Sequence, residues 1–259
     1  MWGVLAVLAV GRAMSGTTRR QVLRGAPAVA ASASGLHAGR ADAADENIDV
    51  YFGVGCFWHV QHEFVEAERS LLGRGVKELT ARAGYAGGKR AGKDASRPGA
   101  KLVCYHNMQR IADYGSLGHG EVVGLRIPAG SVGKFAEEYA KLFDDGGDRP
   151  DKGDKGGEYR SLVGIPGGEK SPLAAAVADA LKPKGLTLVA GVGDDKDTLG
   201  TGKVWLYDTA QFPFFQAEVY HQYHDGFMRG EQYGSKYNNL RFTAFDEGRL
   251  SETGCPDVV

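Results

Sequence analysis

The sequence has few cysteines, no excess of charge of either sign and no long hydrophobic run. It contains three cysteines among 259 residues, and no CxxC pair or Cys/His spacing indicates a zinc site. Lysine and arginine number 31 against 32 acidic residues, so the net charge of -1 gives no electrostatic reason for a nucleic-acid partner. No apolar stretch is long enough to span a bilayer. We therefore expect a folded protein without a metal, a nucleic-acid partner or a membrane span after processing.

The N-terminal segment lacks acidic side chains. No Asp or Glu precedes Asp42, whereas arginines recur, and residues 18–23 (TRRQVL) resemble a twin-arginine signal. Residues 41–43 form an A-x-A cleavage pattern. We predict that residues 1–45 are a cleaved targeting segment. Their length favours a plastid thylakoid-lumen precursor, with a periplasmic or secreted protein and a plain disordered tail as alternatives.

The rest of the chain alternates short apolar runs with single helical patterns. Strands are predicted at 49–55, 76–83, 121–128, 159–165, 186–192 and 204–207, and helices at 57–72, 131–143, 171–181 and 216–228. Such alternation predicts one sheet covered by helices. We expect a single catalytic domain at residues 46–229, followed by an irregular tail at residues 230–259.

Cys56 lies where a predicted strand gives way to a predicted helix. Backbone N–H groups at a helix N-terminus favour a thiolate, the nucleophilic form of cysteine. The neighbouring Phe57 and Trp58 are aromatic rings that suit a substrate methyl or thioether group. This context indicates a nucleophile, although a buried structural cysteine with core aromatics remains an alternative.

Five segments carry a resemblance to a known family. They are GCFW at 55–58, GYAGG at 84–88, GHGEVV at 118–123, DKGGEYRS at 154–161 and AEVYHQ at 217–222. Their types and order resemble A-type peptide methionine sulfoxide reductases, of which the chain is identified as a divergent member. The resemblance implies an α+β fold with a ferredoxin-like two-layer α/β core, long Gly-rich loops and an irregular C-terminal tail. It also implies thiol-dependent reduction of methionine S-sulfoxide, peptide-bound or free.

The resemblance assigns roles to particular residues. Cys56 would attack the sulfoxide sulfur and become a sulfenic acid, and Glu121 would donate the proton that the oxygen needs. Glu121 shares the inward face of its predicted strand, and an apolar setting keeps a carboxyl protonated. Tyr85 and Tyr159 would hold the sulfoxide oxygen with their hydroxyls, and Asp154 would orient the substrate.

The proposed chemistry needs a second thiol. Cys255, in the tail, is the favoured resolving cysteine, and Cys104 is its rival. The resemblance implies no cofactor, only an external reductant such as thioredoxin or a small dithiol, acting on a monomer. Two other functions stay open: a Cys–His hydrolase that pairs Cys56 with His119 or His221, and a thiol-based redox sensor.

The chain also departs from the family pattern. His59 follows the motif tryptophan where the family has glycine, and Glu158 precedes the motif tyrosine in place of glutamine. The segment between Cys104 and His119 is longer than the short link expected there. These changes leave the Cys, Glu and Tyr set intact and bear on substrate preference.

Overall fold

The computed structural model describes residues 44–95, 97–226 and 229–256. The strands are β1 (Asn47–Gly53), β2 (Arg82–Ala86), β3 (Gly92–Lys93), β4 (Lys101–Leu102), β5 (Gly120–Pro128), β6 (Leu162–Ile165), β7 (Thr187–Ala190), β8 (Lys203–Asp208) and β9 (Phe215–Gln216). The helices are α1 (Phe57–Leu72), α2 (Val132–Lys141), α3 (Ala174–Leu181), α4 (Ser235–Asn238) and α5 (Leu240–Asp246).

Seven strands form one mixed sheet in the order β7-β8-β6-β1-β5-β2-β9. The central strands β6, β1, β5 and β2 are antiparallel neighbours, and β8 and β7 extend the sheet in parallel beyond β6. Helix α1 connects β1 to β2, and α2 connects β5 to β6. This βαββαβ order is the ferredoxin-like arrangement, so the predicted fold class is confirmed.

Helix α1 forms because its apolar residues recur at helical spacing. Phe57, Val60 and Phe64 are each at most 1% exposed and join the main core against the sheet. Gly73 ends the helix in a left-handed conformation, with its N–H donated to the carbonyl of Arg69. The helix therefore begins and ends where the sequence pattern predicts, and it fixes the position of the residue before Phe57.

Strand β5 confirms the alternation that the sequence predicts. Val123, Leu125 and Ile127 belong to the main core, whereas Val122 packs into a smaller cluster with Tyr51. Because side chains alternate along a strand, Glu121 shares the face of the main core. Its burial follows from the strand register.

Three regions differ from the sequence predictions. The predicted strand 76–83 is a short 3-10 helix (Val76–Glu78) followed by β2, so the GYAGG motif lies partly in a strand. The predicted helix 216–228 is replaced by β9 and one 3-10 turn (Val219–His221), because its polar residues bond to other segments. The tail at 230–259 contains α4 and α5, whose apolar residues Tyr237, Leu240 and Ala244 are buried.

Within the described ranges, none of the helices combines the length and the apolar character that crossing a bilayer demands. The predicted targeting segment lies, up to Ala43, outside the described residues. Its cleavage and the compartment of the protein stay predictions.

Candidate active site

Cys56 occupies the N-cap of α1, at the junction between β1 and the helix. The preceding Gly55 has φ of 64°, and its N–H donates to the carbonyl of Tyr159 at 3.1 Å. A side chain at position 55 would be strained at that φ and would approach the Asp154 carboxylate to 3.3 Å. The tight junction therefore requires glycine at position 55. Cys56 follows it directly and lies between the end of β1 and the start of α1.

Burial and the helix end have opposite effects on the Cys56 thiol. Burial raises the pKa of the thiol well above its ordinary value, and ionised Glu121 and Asp154 raise it further. The backbone N–H groups of Trp58 and His59 lower the pKa, but by less than burial raises it. Desolvation therefore opposes the thiolate that the helix N-terminus is expected to favour.

Glu121 lies beside Cys56 and is 2% exposed. One carboxyl oxygen, Oε2, accepts a hydrogen bond from the backbone N–H of Phe57 at 2.9 Å, and the other, Oε1, is 3.1 Å from the Tyr114 hydroxyl. Burial, the largest cause, raises the pKa of Glu121 to about 8. The carboxyl group is therefore mostly protonated at neutral pH, and it is tied to the residue that follows Cys56.

The two predicted tyrosines lie in different surroundings. Tyr159 is half-buried, and burial followed by the charge of Glu121 raises the pKa of its hydroxyl. Tyr85 is fully buried, and its hydroxyl donates to Glu218 Oε2 at 2.9 Å. Tyr159 therefore interacts with the same two carboxyl groups as Cys56, those of Glu121 and Asp154, whereas the Tyr85 hydroxyl is already engaged by Glu218. The predicted contact of Tyr85 with the substrate oxygen stays a prediction.

Asp154 and Tyr159 are held in place by a buried cation. Arg149 is 1% exposed and donates to the carbonyls of Asp154 and Tyr159 at 2.8 and 2.9 Å, and to Asp197 at 2.8 Å. The Oδ2 atom of the Asp154 carboxylate is buried without a hydrogen-bond partner. Sequence reasoning placed Asp154 but missed Arg149, the one arginine in the loop 144–158.

Aromatic rings line one side of the Cys56 surroundings. Trp58 stacks on His224 with ring centroids 4.0 Å apart, and His221 packs against Phe57 at 5.3 Å and Tyr105 at 4.3 Å. The other side is a cavity of about 60 Å³ that Cys56 shares with polar neighbours. These residues are His59, Arg149, Asp151, Asp154 and Glu231. A space of this size takes the end of a side chain, with apolar rings on one side and carboxylates on the other.

The two histidines of the hydrolase hypothesis are buried and weakly basic. His119 is engaged at both ring nitrogens, by the N–H of Gly88 at 3.2 Å and the carbonyl of Arg90 at 2.7 Å. Burial lowers the pKa of His119 to about 4 and that of His221 to about 3. Both rings are therefore neutral near pH 7, so neither supplies an imidazolium partner for a thiolate.

The other two cysteines form a disulfide, and Cys56 is free. Cys104 is fully buried, and its carbonyl accepts the N–H of Tyr114 at 2.8 Å. Glu218 lies close to both sulfurs, and in the described part of the chain only Cys104, Cys255 and Glu218 could form a three-ligand metal site. Since both sulfurs are in the disulfide, they offer no thiolate. The two rival resolving cysteines are joined to each other in this state.

The segment between Cys104 and His119 contributes residues that the motifs did not indicate. The ring of Tyr114 stacks on Tyr85 at 4.7 Å and on Tyr105 at 5.8 Å. Tyr105 is half-buried, and burial, followed by the charges of Glu121 and Cys56, raises the pKa of its hydroxyl. The two tyrosines of this insertion, Tyr105 and Tyr114, were the available signal in the sequence.

Comparisons with known proteins give distant likenesses. No family model and no curated protein matches the chain. Among solved structures, it is similar to reduced Mxr1 from Saccharomyces cerevisiae, with 18% identity, a TM-score of 0.43 and coverage of 73% of this chain and 92% of that one. It is also similar to methionine sulfoxide reductase A of Corynebacterium diphtheriae, with 18% identity, a TM-score of 0.42 and coverage of 73% and 81%. Because the sequence identity and the TM-scores are low, the function has to be argued from the residues of this chain.

Proposed function

We propose that the chain is a divergent A-type methionine sulfoxide reductase that reduces the S epimer of methionine sulfoxide, free or within a peptide. The observation that carries the proposal is the buried Glu121 carboxyl group, hydrogen-bonded to the backbone of Phe57 next to the free thiol of Cys56. A nucleophilic thiol and a neutral carboxyl acid at one point are the two groups that the reaction requires.

The chemical step transfers the oxygen from substrate to enzyme. The sulfur of Cys56 bonds to the substrate sulfur while Glu121 protonates the sulfoxide oxygen. The oxygen then passes to Cys56, and the thiol proton restores the Glu121 acid. One sulfoxide and one thiol thereby become one thioether, methionine, and one sulfenic acid on Cys56. Because Cys56 is a thiol before substrate binds, the proton transfers belong to the same step as the attack.

The aromatic and acidic sides of the pocket support a methyl sulfoxide substrate. Trp58 and Phe57 offer apolar faces for the S-methyl group. Tyr159 and, in the family pattern, Tyr85 are the hydroxyls proposed to hold the oxygen. The unpartnered Oδ2 of Asp154 is an acceptor for an N–H group of the methionine backbone.

Recycling uses the two remaining cysteines. Once the disulfide of Cys104 and Cys255 is reduced, the Cys255 thiol attacks the Cys56 sulfenic acid, giving a Cys56–Cys255 disulfide and water. Attack by Cys104 on Cys255 then releases the Cys56 thiol and leaves a Cys104–Cys255 disulfide. Thioredoxin or a small dithiol reduces this bond. The pairing of Cys104 with Cys255 and the free Cys56 support this order.

Steady-state turnover of the two epimers of methionine sulfoxide with dithiothreitol tests the proposal. We expect reduction of the S epimer and little of the R epimer, in both free and N-acetylated substrate. A hydrolase would instead turn over an activated ester without any dithiol. Ester turnover that needs Cys56, without sulfoxide reduction, would refute the proposed function.

A further inference from the structure

Tyr114 contacts the proposed acid more directly than any motif tyrosine. Its hydroxyl lies 3.1 Å from Glu121 Oε1, and its side chain is fully buried. The Phe57 N–H occupies the other carboxyl oxygen at 2.9 Å. The Phe57 N–H donates to Oε2 and the Tyr114 hydroxyl donates to Oε1, so both hydrogen bonds stabilise the carboxylate that Glu121 becomes when it gives up its proton.

Tyr114 holds the acid in place of a motif tyrosine. The Tyr85 hydroxyl donates to Glu218 at 2.9 Å, so it is engaged by another carboxyl group. Among the hydrogen bonds of the described residues, Tyr114 supplies the one side-chain hydroxyl that donates to Glu121.

The backbone around Tyr114 fixes this position. The Tyr114 N–H donates to the Cys104 carbonyl and the Cys104 N–H to the Ala112 carbonyl, both at 2.8 Å. Its ring is stacked between Tyr85 and Tyr105. A side chain held by a bridge to a disulfide and by two rings has little freedom, so its hydroxyl stays on the carboxyl group.

We propose that Tyr114 is a positioning residue that holds the Glu121 carboxyl group beside Cys56 and stabilises the carboxylate left when Glu121 protonates the substrate oxygen. This inference rests on the proposed function and deepens it by naming the residue that positions the acid. The insertion between Cys104 and His119 supplies this residue, so the position of the acid depends on a segment that departs from the family pattern.

The titration of Glu121 is the first readout, because it needs no substrate. Several titratable groups surround this carboxyl in addition to Tyr114: Cys56, Tyr85, Tyr105, His106, Asp154 and Tyr159. The hydrogen bond from Tyr114 lowers the pKa of Glu121, which burial raises to about 8. Tyr114→Phe removes that hydrogen bond and should move the titration to higher pH, by about one unit.

The experiment measures the carboxyl C=O infrared band of Glu121 against pH, assigned by its loss in Glu121→Gln, and the pH profile of single-turnover sulfoxide reduction. We expect the Tyr114→Phe band to persist to higher pH, the alkaline limb of the rate to move with it, and the plateau rate to fall about tenfold. Tyr139→Phe is the matched control: it removes a buried hydroxyl that donates to the Gly53 carbonyl at 2.7 Å and should leave the Glu121 band unchanged.

Replacement of Tyr114 by 2,3-difluorotyrosine keeps the ring and the hydroxyl and covers the case in which Tyr114→Phe fails to fold. Its more acidic hydroxyl is a stronger donor and should move the Glu121 titration to lower pH. An unmoved band in both variants, or a moved band with an unchanged plateau rate, would overturn the positioning role of Tyr114. Absence of sulfoxide turnover in the unmodified protein would instead refute the proposed function, while the infrared titration still decides whether Tyr114 holds the acid.

Discussion

The two thiol regions of the molecule are built differently. Cys56 lies between a central strand and the longest of the described helices, where the sheet and helix register fix its neighbours. Cys104 and Cys255 lie outside the seven-stranded sheet, in an insertion and in the C-terminal tail, and a disulfide joins them. Under the proposed function, the rigid site at Cys56 would perform the oxygen transfer, and the two peripheral cysteines would regenerate its thiol.

The largest expected effect is the loss of sulfoxide reduction when Cys56 is replaced, compared with replacement of Cys104. Cys56→Ser should abolish sulfoxide reduction, because a serine hydroxyl is neither ionised nor soft enough to attack sulfur. Cys104→Ser should retain one turnover per enzyme after full reduction. Methionine formed in single-turnover mixing measures both. If both variants lost methionine formation to the same extent, the two regions would not have the separate roles proposed for them.

Removal of the acid should give the next largest effect. Glu121→Gln keeps the shape and loses the proton, so the single-turnover rate should fall by roughly 10²–10⁴-fold. In the unmodified protein the rate should be constant below pH 7 and decline as pH rises through about 8, because the raised pKa keeps Glu121 protonated only below that value.

Glu68→Gln is the control for this prediction. Glu68 is likewise fully buried on α1, but it pairs with Arg74 far along the helix from Cys56. Its replacement should lower stability and leave the single-turnover rate of the folded protein unchanged. A pH-independent rate in the unmodified protein between pH 6 and 9 would exclude Glu121 as the acid.

Loss of Cys255 should affect turnover and spare the chemical step. Cys255→Ser should form one methionine and then stall with thioredoxin, whereas a small thiol that reaches Cys56 directly should support turnover. Mass mapping of the oxidised, previously reduced enzyme identifies the bridge. A Cys56–Cys104 bridge together with full thioredoxin-coupled turnover in Cys255→Ser would show that Cys104 is the resolving cysteine.

The smallest effect concerns thiol reactivity without substrate. Because burial raises the pKa of Cys56, its alkylation should be slow at neutral pH and should still be rising at pH 9. Reduced Cys255, which is half-exposed, should react faster. Peptide mapping after timed exposure to iodoacetamide compares the two. A fast Cys56 with a rate plateau below pH 7 would show that the helix end outweighs burial.

The same contrast explains how much the sequence could predict. Apolar residues recur every three or four positions in α1, which predicts where the helix begins and so where Cys56 lies. Apolar residues alternate along β5, which predicts that Glu121 points into the core. The single sheet and its ferredoxin-like core also follow from the alternation of elements and the motif resemblance. In these regions the structure is decided mainly by residues that are close together in the sequence, so a local pattern is enough to predict it.

The remainder depends on contacts between distant segments. The disulfide spans 151 residues, and the Tyr85 hydroxyl meets Glu218 across 133 residues, so no local pattern indicates either. The thiol pKa depends on burial, which competes with the helix end and is decided only by packing. Tyr114 reaches Glu121 through a bridge between Cys104 and Asp113 that no turn signal predicts.

The most direct test of the central claim is one reaction of the fully reduced protein with the S epimer of methionine sulfoxide. Methionine and the oxidised cysteine are then quantified in a protein that carries Cys104→Ser and Cys255→Ser, so that Cys56 is the one thiol left. The account predicts one methionine per protein and a sulfenic acid on Cys56 that dimedone traps. A folded protein that forms no methionine, with Cys56 unmodified, would contradict it.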